Sequence, residues 1–294
     1  MKPFICLLLC FLTLGFYAVE AQTATDARPV ADDSKETPDK VLNPQLPTLF
    51  IVGDSTVKSN APMRGWGQEL GAFFDANKIN VVNRAIGGRS SRTFQNEGRW
   101  NKVLAELKKG DFIIVQFGHN DVGKYDDPTA KERPSLHGEG EETAEVTKMN
   151  GTKETVHTFG WYMQKYGNDA RAKGATVIFC SMVPHKDWEN ERVIRKESET
   201  FVKWTANAAK ATGSAFINLN EAIALEFEKL GREKVELFFA DKRTHSTPAG
   251  ALLNAQTVIA GLRSLKNPSF KKYFSDKGKD IKKLHDYVVD ASRK

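Results

Sequence analysis

Leu49-Phe50-Ile51-Val52-Gly53-Asp54-Ser55-Thr56 is the stretch that decides the fold. Four apolar residues in a row, closed by a glycine-led turn, predict a short strand buried on both faces, as in the parallel sheet of an α/β protein. The Gly-Asp-Ser turn then holds a serine hydroxyl at the carboxyl edge of that sheet, where open α/β folds bind their ligands. Further strand-like runs follow at 79–85, 112–117, 175–182 and 215–219, with the first at 48–52. Helical patterns lie between and after them at 66–77, 99–109, 154–173, 198–212, 220–230 and 247–265. This alternation predicts one α/β domain over 47–265, a three-layer α/β/α sandwich around a mostly parallel five-stranded sheet.

The chain begins with Lys2, an apolar run from Phe4 to Tyr17, and Val19-Glu20-Ala21, the pattern of a signal peptide over 1–21. Secretion, periplasmic or extracellular, is therefore expected, without a membrane anchor. Residues 22–46 are polar with no apolar period and read as a flexible leader. Of three cysteines, Cys6 and Cys10 fall in the signal, which leaves Cys180 inside the run Val177-Ile178-Phe179-Cys180. A single cysteine forms no internal disulfide, so a sizeable core must supply the stability. Cys180 reads as a buried apolar residue.

Two segments stand outside the alternation. Residues 122–153 form a long polar insertion with Asp126, Asp127, Glu139, Glu141 and Glu142, the length at which loops are functional lids or disordered. From Lys266 the chain carries nine Lys or Arg against four Asp, read as a basic C-terminal extension over 266–294: a solvated arm, or a contact for an acidic polymer. The net charge of +6 suits an acidic polysaccharide and equally suits plain solubility.

A serine hydroxyl needs a base within hydrogen-bond reach before it attacks anything at neutral pH. Among six histidines, His245 has Asp241 four residues before it and Ser246-Thr247-Pro248 after it, where Thr247 can cap a helix and Pro248 suit its first position. An acid there can orient the imidazole, leaving the other ring nitrogen for the serine. Acyl transfer also needs donors where charge develops on the carbonyl oxygen. Gly88 after the second strand and Asn120 after the third can supply them, with the Ser55 N–H as a further donor. Read singly, Gly87-Gly88 is equally an ordinary tight turn and Asn120-Asp121 a helix cap. Asp54 adjoins Ser55 but points to the opposite face of a strand end, so it reads as a brace for the turn.

Ser55, Gly88, Asn120 and His245 occur in the order of the SGNH (GDSL-type) hydrolases, which the chain resembles in four motif blocks spanning 49–251. More narrowly it resembles the rhamnogalacturonan acetylesterases. The strings that carry this are Ile51 to Val57, Arg64-Gly65-Trp66-Gly67-Gln68, Asn83 to Arg92, Glu97-Gly98-Arg99, Gln116 to Asp121, and Thr244 to Ala251. The resemblance implies a flavodoxin-like sandwich, Ser55 as nucleophile and His245 as general base. It assigns the oxyanion hole to the N–H groups of Ser55 and Gly88 and the Asn120 amide. The family usually places its acid three residues before the histidine, where this chain has Lys242; Asp241 lies four before and is the candidate acid on a loop one residue longer.

The implied reaction is hydrolysis of O-acetyl esters on an acidic pectic polysaccharide through an acetyl-serine, by an enzyme expected to act as a monomer with no metal, organic cofactor, nucleic acid or membrane partner. Arg89 and Arg92 are candidates to meet galacturonate carboxylates, or else brace the turn, and Trp66 is a further substrate-binding candidate. Alternative readings are an acetylesterase for xylan or another glycan, a broad carboxylesterase, or a non-catalytic carbohydrate-binding protein.

Overall fold

The computed structural model describes residues 42–284 and 286–290, without the side chains of residues 128 and 196–198. The expected signal 1–21 and residues 22–41 of the expected leader lie outside the described residues. Strands β1 (Thr48–Gly53), β2 (Asn80–Asn83), β3 (Phe112–Gln116), β6 (Thr176–Cys180) and β9 (Ala215–Ile217) are the five expected parallel strands. A sixth, β10 (Val288–Val289), joins β9 antiparallel, giving the order β10-β9-β6-β3-β1-β2. The remaining strands form two separate hairpins, β4 (Thr143–Thr147) with β5 (Lys153–His157), and β7 (Trp188–Glu189) with β8 (Arg192–Val193).

Every residue of β1 and β3 is buried, so each strand sends alternate side chains to two cores. Leu49, Ile51, Ile114 and Ile178 pack on one face against α5 (Leu219–Leu230) and α7 (Pro248–Ser264). Phe50, Val52, Ile113, Val115 and Phe179 pack on the other against α1 (Ser91–Asn96), α2 (Arg99–Glu106), α3 (Phe159–Ala172) and α4 (Lys196–Ala211). Helix α6 (Arg232–Glu236) and the single turn α8 (Asp276–Lys279) complete the set. Cys180 is fully buried in the first core, as read. Among the described residues no helix is long and apolar enough to cross a membrane.

Three expectations change. The helix expected over 66–77 is two short 3-10 turns, Trp66–Gln68 and Leu70–Phe73. Glycines at 65, 67 and 71 weaken an α-helix there, and Gly65 and Gly67 press against Val57, where a Cβ would stand within 2.3 Å and 2.8 Å of its carbonyl oxygen. The helix expected from 154 starts at Phe159: Thr158 caps it by accepting from the Trp161 N–H, and the preceding Lys153–His157 pairs with β4. The insertion therefore contains an ordered hairpin rather than loop alone.

The basic segment from Lys266 is not simply a solvated arm. Phe270, Tyr273 and Phe274 are buried in the first core, and Val288–Val289 extends the sheet. Lys266, Lys271, Lys272, Lys277, Lys279, Lys282 and Lys283 stay exposed while the aromatics among them turn inward, so charge marks one side and packing the other.

Candidate active site

Gly53 is the point at which β1 becomes a site. A Cβ there would sit 2.6 Å from the Gln116 carbonyl oxygen on β3 and 2.5 Å from Val57 Cγ2. Only glycine lets the chain turn this close to its neighbour. Asp54 stabilises the turn from beneath: its Oδ1 accepts from the Thr56 N–H at 2.9 Å and the Thr56 hydroxyl at 2.7 Å. Gln116 Nε2 in turn donates to Thr56 Oγ1 at 2.7 Å, and Gln116 Oε1 accepts from Trp66 Nε1 at 2.8 Å. Ser55 is left facing outward on a turn held from three sides.

The histidine arrives from the loop between α6 and α7. The Ala240 N–H donates to the His245 carbonyl at 2.8 Å and the Thr247 N–H to that of Phe238 at 2.9 Å, which closes 238–247 into a narrow loop. Inside it, Asp241 Oδ1 accepts the N–H groups of Arg243, Thr244 and His245 at 3.0, 2.8 and 3.0 Å. The other oxygen, Oδ2, meets His245 Nδ1. The far ring nitrogen, Nε2, lies 2.8 Å from Ser55 Oγ. Burial alone would raise the Asp241 pKa, but the His245 and Thr244 N–H groups and the ring outweigh it and bring it down to about 2. Asp241 is thus an anion at neutral pH and fixes the ring with its proton on Nδ1 and a lone pair toward the serine.

A second chain of contacts anchors the same loop. Arg243 Nη2 meets His185 Nδ1 at 2.7 Å, and His185 Nε2 meets His119 Nδ1 at 3.1 Å. Arginine only donates, so His185 accepts at Nδ1 and donates from Nε2, and His119 accepts at Nδ1. Burial, aided by the nearby His245 and the Arg243 charge, pushes His119 down to about 3. It is therefore a neutral strut between the end of β3 and the histidine loop.

The remaining candidates are Gly88 and Asn120. A Cβ on Gly87 would stand 3.5 Å from Ser55 Cβ, which puts the Gly87-Gly88 turn against it, and Gly88 has φ of +77°. Asn120, on the loop after β3, is 8% exposed, donates from Nδ2 to the Arg89 carbonyl at 3.1 Å and accepts at Oδ1 from Arg133 at 3.2 Å. Asp121 accepts the Ser91 N–H and hydroxyl, the latter at 2.5 Å, and so holds the start of α1. Burial raises Asp121 to about 7 and Asp54 to about 6. The site thus sets a hydroxyl against an imidazole that is held by a carboxylate, an arrangement that nucleophilic acyl transfer can use. Among the described residues no group of three or more His, Cys, Asp or Glu is placed to hold a metal ion.

Of the three substrate-binding candidates, Trp66 lies in the core and the two arginines take the bracing alternative. Trp66 is fully buried and spends its N–H on Gln116, so its ring belongs to the core. Arg92 is 1% exposed, pairs with Glu154 at 2.6 Å and donates to the Tyr125 and Pro134 carbonyls. Arg89 lies at the rim, but pairs with Glu97 at 2.9 Å and reaches back to the Gly87 carbonyl at 3.2 Å. Both arginines brace structure in the described state. The residue that the sequence reading missed is Arg133, in the insertion. The length of that insertion hinted that some part of it returns to the sheet edge, but nothing in the sequence singled out Arg133.

The sequence profile of the GDSL-like Lipase/Acylhydrolase family matches residues 51–253. A rhamnogalacturonan acetylesterase of Emericella nidulans is 33% identical over 212 residues, covering 72% of this chain and 83% of that protein. A probable rhamnogalacturonan acetylesterase of Bacillus subtilis is 30% identical over 228 residues, covering 75% and 94%. A solved structure of the Bacillus subtilis protein YxiM superposes with a TM-score of 0.60 at 24% identity, over 74% of this chain and 56% of that one, and shares its fold. The chain belongs to the GDSL-like lipase/acylhydrolase family.

Proposed function

We propose that this family member is a serine esterase that removes O-acetyl groups from rhamnogalacturonan through an acetyl-serine intermediate. The chemistry rests on one observation above the others: Ser55 Oγ stands 2.8 Å from His245 Nε2 at the carboxyl end of the sheet, with Asp241 behind the ring. The choice of substrate rests on the similarity to proteins named for that activity. His245 takes the Ser55 proton as Oγ attacks the acetyl carbon. The Ser55 and Gly88 N–H groups and the Asn120 amide receive the developing oxyanion. Collapse expels the sugar hydroxyl, which receives the proton from His245, and water then repeats the sequence to release acetate. The apolar run Phe4 to Tyr17 supports export of the chain.

Acetate release from acetylated rhamnogalacturonan, xylan and homogalacturonan, measured chromatographically with wild type and Ser55→Ala, tests both halves. The expected result is release from rhamnogalacturonan, abolished in the variant. Preference for xylan would replace the substrate while keeping the chemistry, and unchanged release by Ser55→Ala would remove the chemistry.

A further inference from the structure

Segment 122–153 supplies none of the groups used above, yet it delivers Arg133 to a position beside both Gly88 and Asn120. Arg133 Nη1 donates to Asn120 Oδ1 at 3.2 Å, and outside residues 87–89 it is the heavy atom nearest to where a Cβ on Gly88 would stand, 4.0 Å away. A guanidinium has donors and no acceptor, so the Asn120 atom that faces it must be the carbonyl oxygen. The amide nitrogen is thereby turned the other way, where one of its two hydrogens meets the Arg89 carbonyl at 3.1 Å. The second hydrogen remains for an oxyanion. A flipped amide would set two donors face to face at Arg133 and two acceptors at Arg89, and would aim a carbonyl at developing negative charge.

Arg133 is itself held. Its Nε donates to the Ala130 carbonyl at 3.1 Å. The next carbonyl, that of Pro134, accepts from Arg92 Nη1 at 2.8 Å, and Arg92 Nε pairs with Glu154 on β5 at 2.6 Å. Arg92 is on α1, just beyond the Gly87-Gly88 turn, so one buried side chain ties the insertion, at Pro134 and through Glu154 of β5, to the start of α1.

We infer that Arg133 is a positioning residue: it orients the Asn120 amide so that an N–H, not a carbonyl, points at the reacting oxygen. This inference rests on the esterase reading. Its test is steady-state hydrolysis of p-nitrophenyl acetate, which carries no sugar and no carboxylate for an arginine to recognise. The panel is wild type, Ser55→Ala, Arg133→Met, Arg133→Lys, Asn120→Ala and the Arg133→Met/Asn120→Ala pair.

Arg133→Met is expected to lower kcat about tenfold, the loss of one charge-assisted hydrogen bond, with KM within about twofold. Arg133→Lys, which keeps a donor, is expected to recover part of that. Asn120→Ala is expected to lose about 10²- to 10³-fold, the scale of one oxyanion-hole donor. The decisive outcome is the pair: it should be no slower than Asn120→Ala alone, because Arg133 acts only through that amide. A pair whose loss equals the product of the single losses overturns the inference, as does an unchanged kcat in Arg133→Met. Should Arg133→Met fail to fold by thermal melt, Arg133→Gln replaces it in the cycle with the same expected non-additivity. An inactive wild type would sink the esterase reading, whereas an active, Ser55-dependent wild type with an additive cycle would sink only the role given to Arg133.

Discussion

The two ends of the central sheet are made of opposite materials. At the carboxyl end, the strands run out into polar groups packed against one another: buried Asp54, Gln116, Asn120 and Asp121, and half-buried His119 and His245, each with named hydrogen-bond partners or a raised or lowered proton affinity. At the amino end, Phe112 at the head of β3 meets Phe270 and Tyr273 with ring centres 4.6 and 5.5 Å apart, and Phe74 stacks on Phe274 at 5.3 Å. Hydrogen bonds are directional and costly to leave unmade, so the first end specifies a geometry. Apolar burial is non-directional and scales with area, so the second end contributes stability. Function and stability are thus separated by the length of a strand.

That separation can be broken most directly at Ser55. Ser55→Ala should lower esterase kcat by about 10⁴- to 10⁶-fold. Its unfolding free energy should stay within about 0.5 kcal/mol of wild type, as for a substitution outside the core. A large stability change in chemical denaturation would show the two ends to be coupled. The converse substitution is Phe270→Ala, which removes a fully buried ring from the amino end. It should cost about 3–5 kcal/mol of stability by the same denaturation measurement and leave kcat unaltered in the folded fraction. A kcat that fell with stability would mean the tail reaches the site.

A smaller effect sharpens the comparison through pH. Burial raises Asp121 to about 7 from its ordinary value near 3.8, so the folded chain keeps a proton that the unfolded chain releases. The contribution of neutral Asp121 is complete below about 3.8 and is lost as pH rises through about 7, with a slope of at most about 1.4 kcal/mol per unit. Asp54 acts in the same sense up to about 6, while His119, lowered to about 3, acts oppositely below about 6.5. Denaturation of wild type and Asp121→Asn from pH 4 to 8 should show wild type losing ground to the variant as pH rises. A constant gap would mean Asp121 is charged throughout.

The same division explains what could be read from the residues alone. The five parallel strands were legible because Leu49–Val52, Phe112–Val115 and Val177–Cys180 are unbroken apolar runs, and position along such runs also placed Ser55, Gly88 and Asn120 at one edge. The pairing of Asp241 with His245 was legible only as proximity in sequence, since loop geometry depends on which N–H groups a carboxylate collects. The tail misled because its nine basic residues outweighed the spacing of Phe270, Tyr273 and Phe274, an i, i+3, i+4 stripe that marks an apolar face. Trp66 and Arg92 misled for the reverse reason: both are residue types that suit sugars, and burial removed them from reach. Arg133 was illegible, because nothing in a polar insertion says which of its cations folds back onto the sheet.

One carboxylate in this molecule has two tasks. Asp241 gathers three successive N–H groups with one oxygen and steadies the imidazole with the other, so the shape of the loop and the aim of the ring are set by a single anion. An acid transplanted to position 242 would meet a backbone already wound for its neighbour and would inherit neither task. In this chain, the winding of the loop, rather than the number of residues between acid and histidine, brings the carboxylate to the ring.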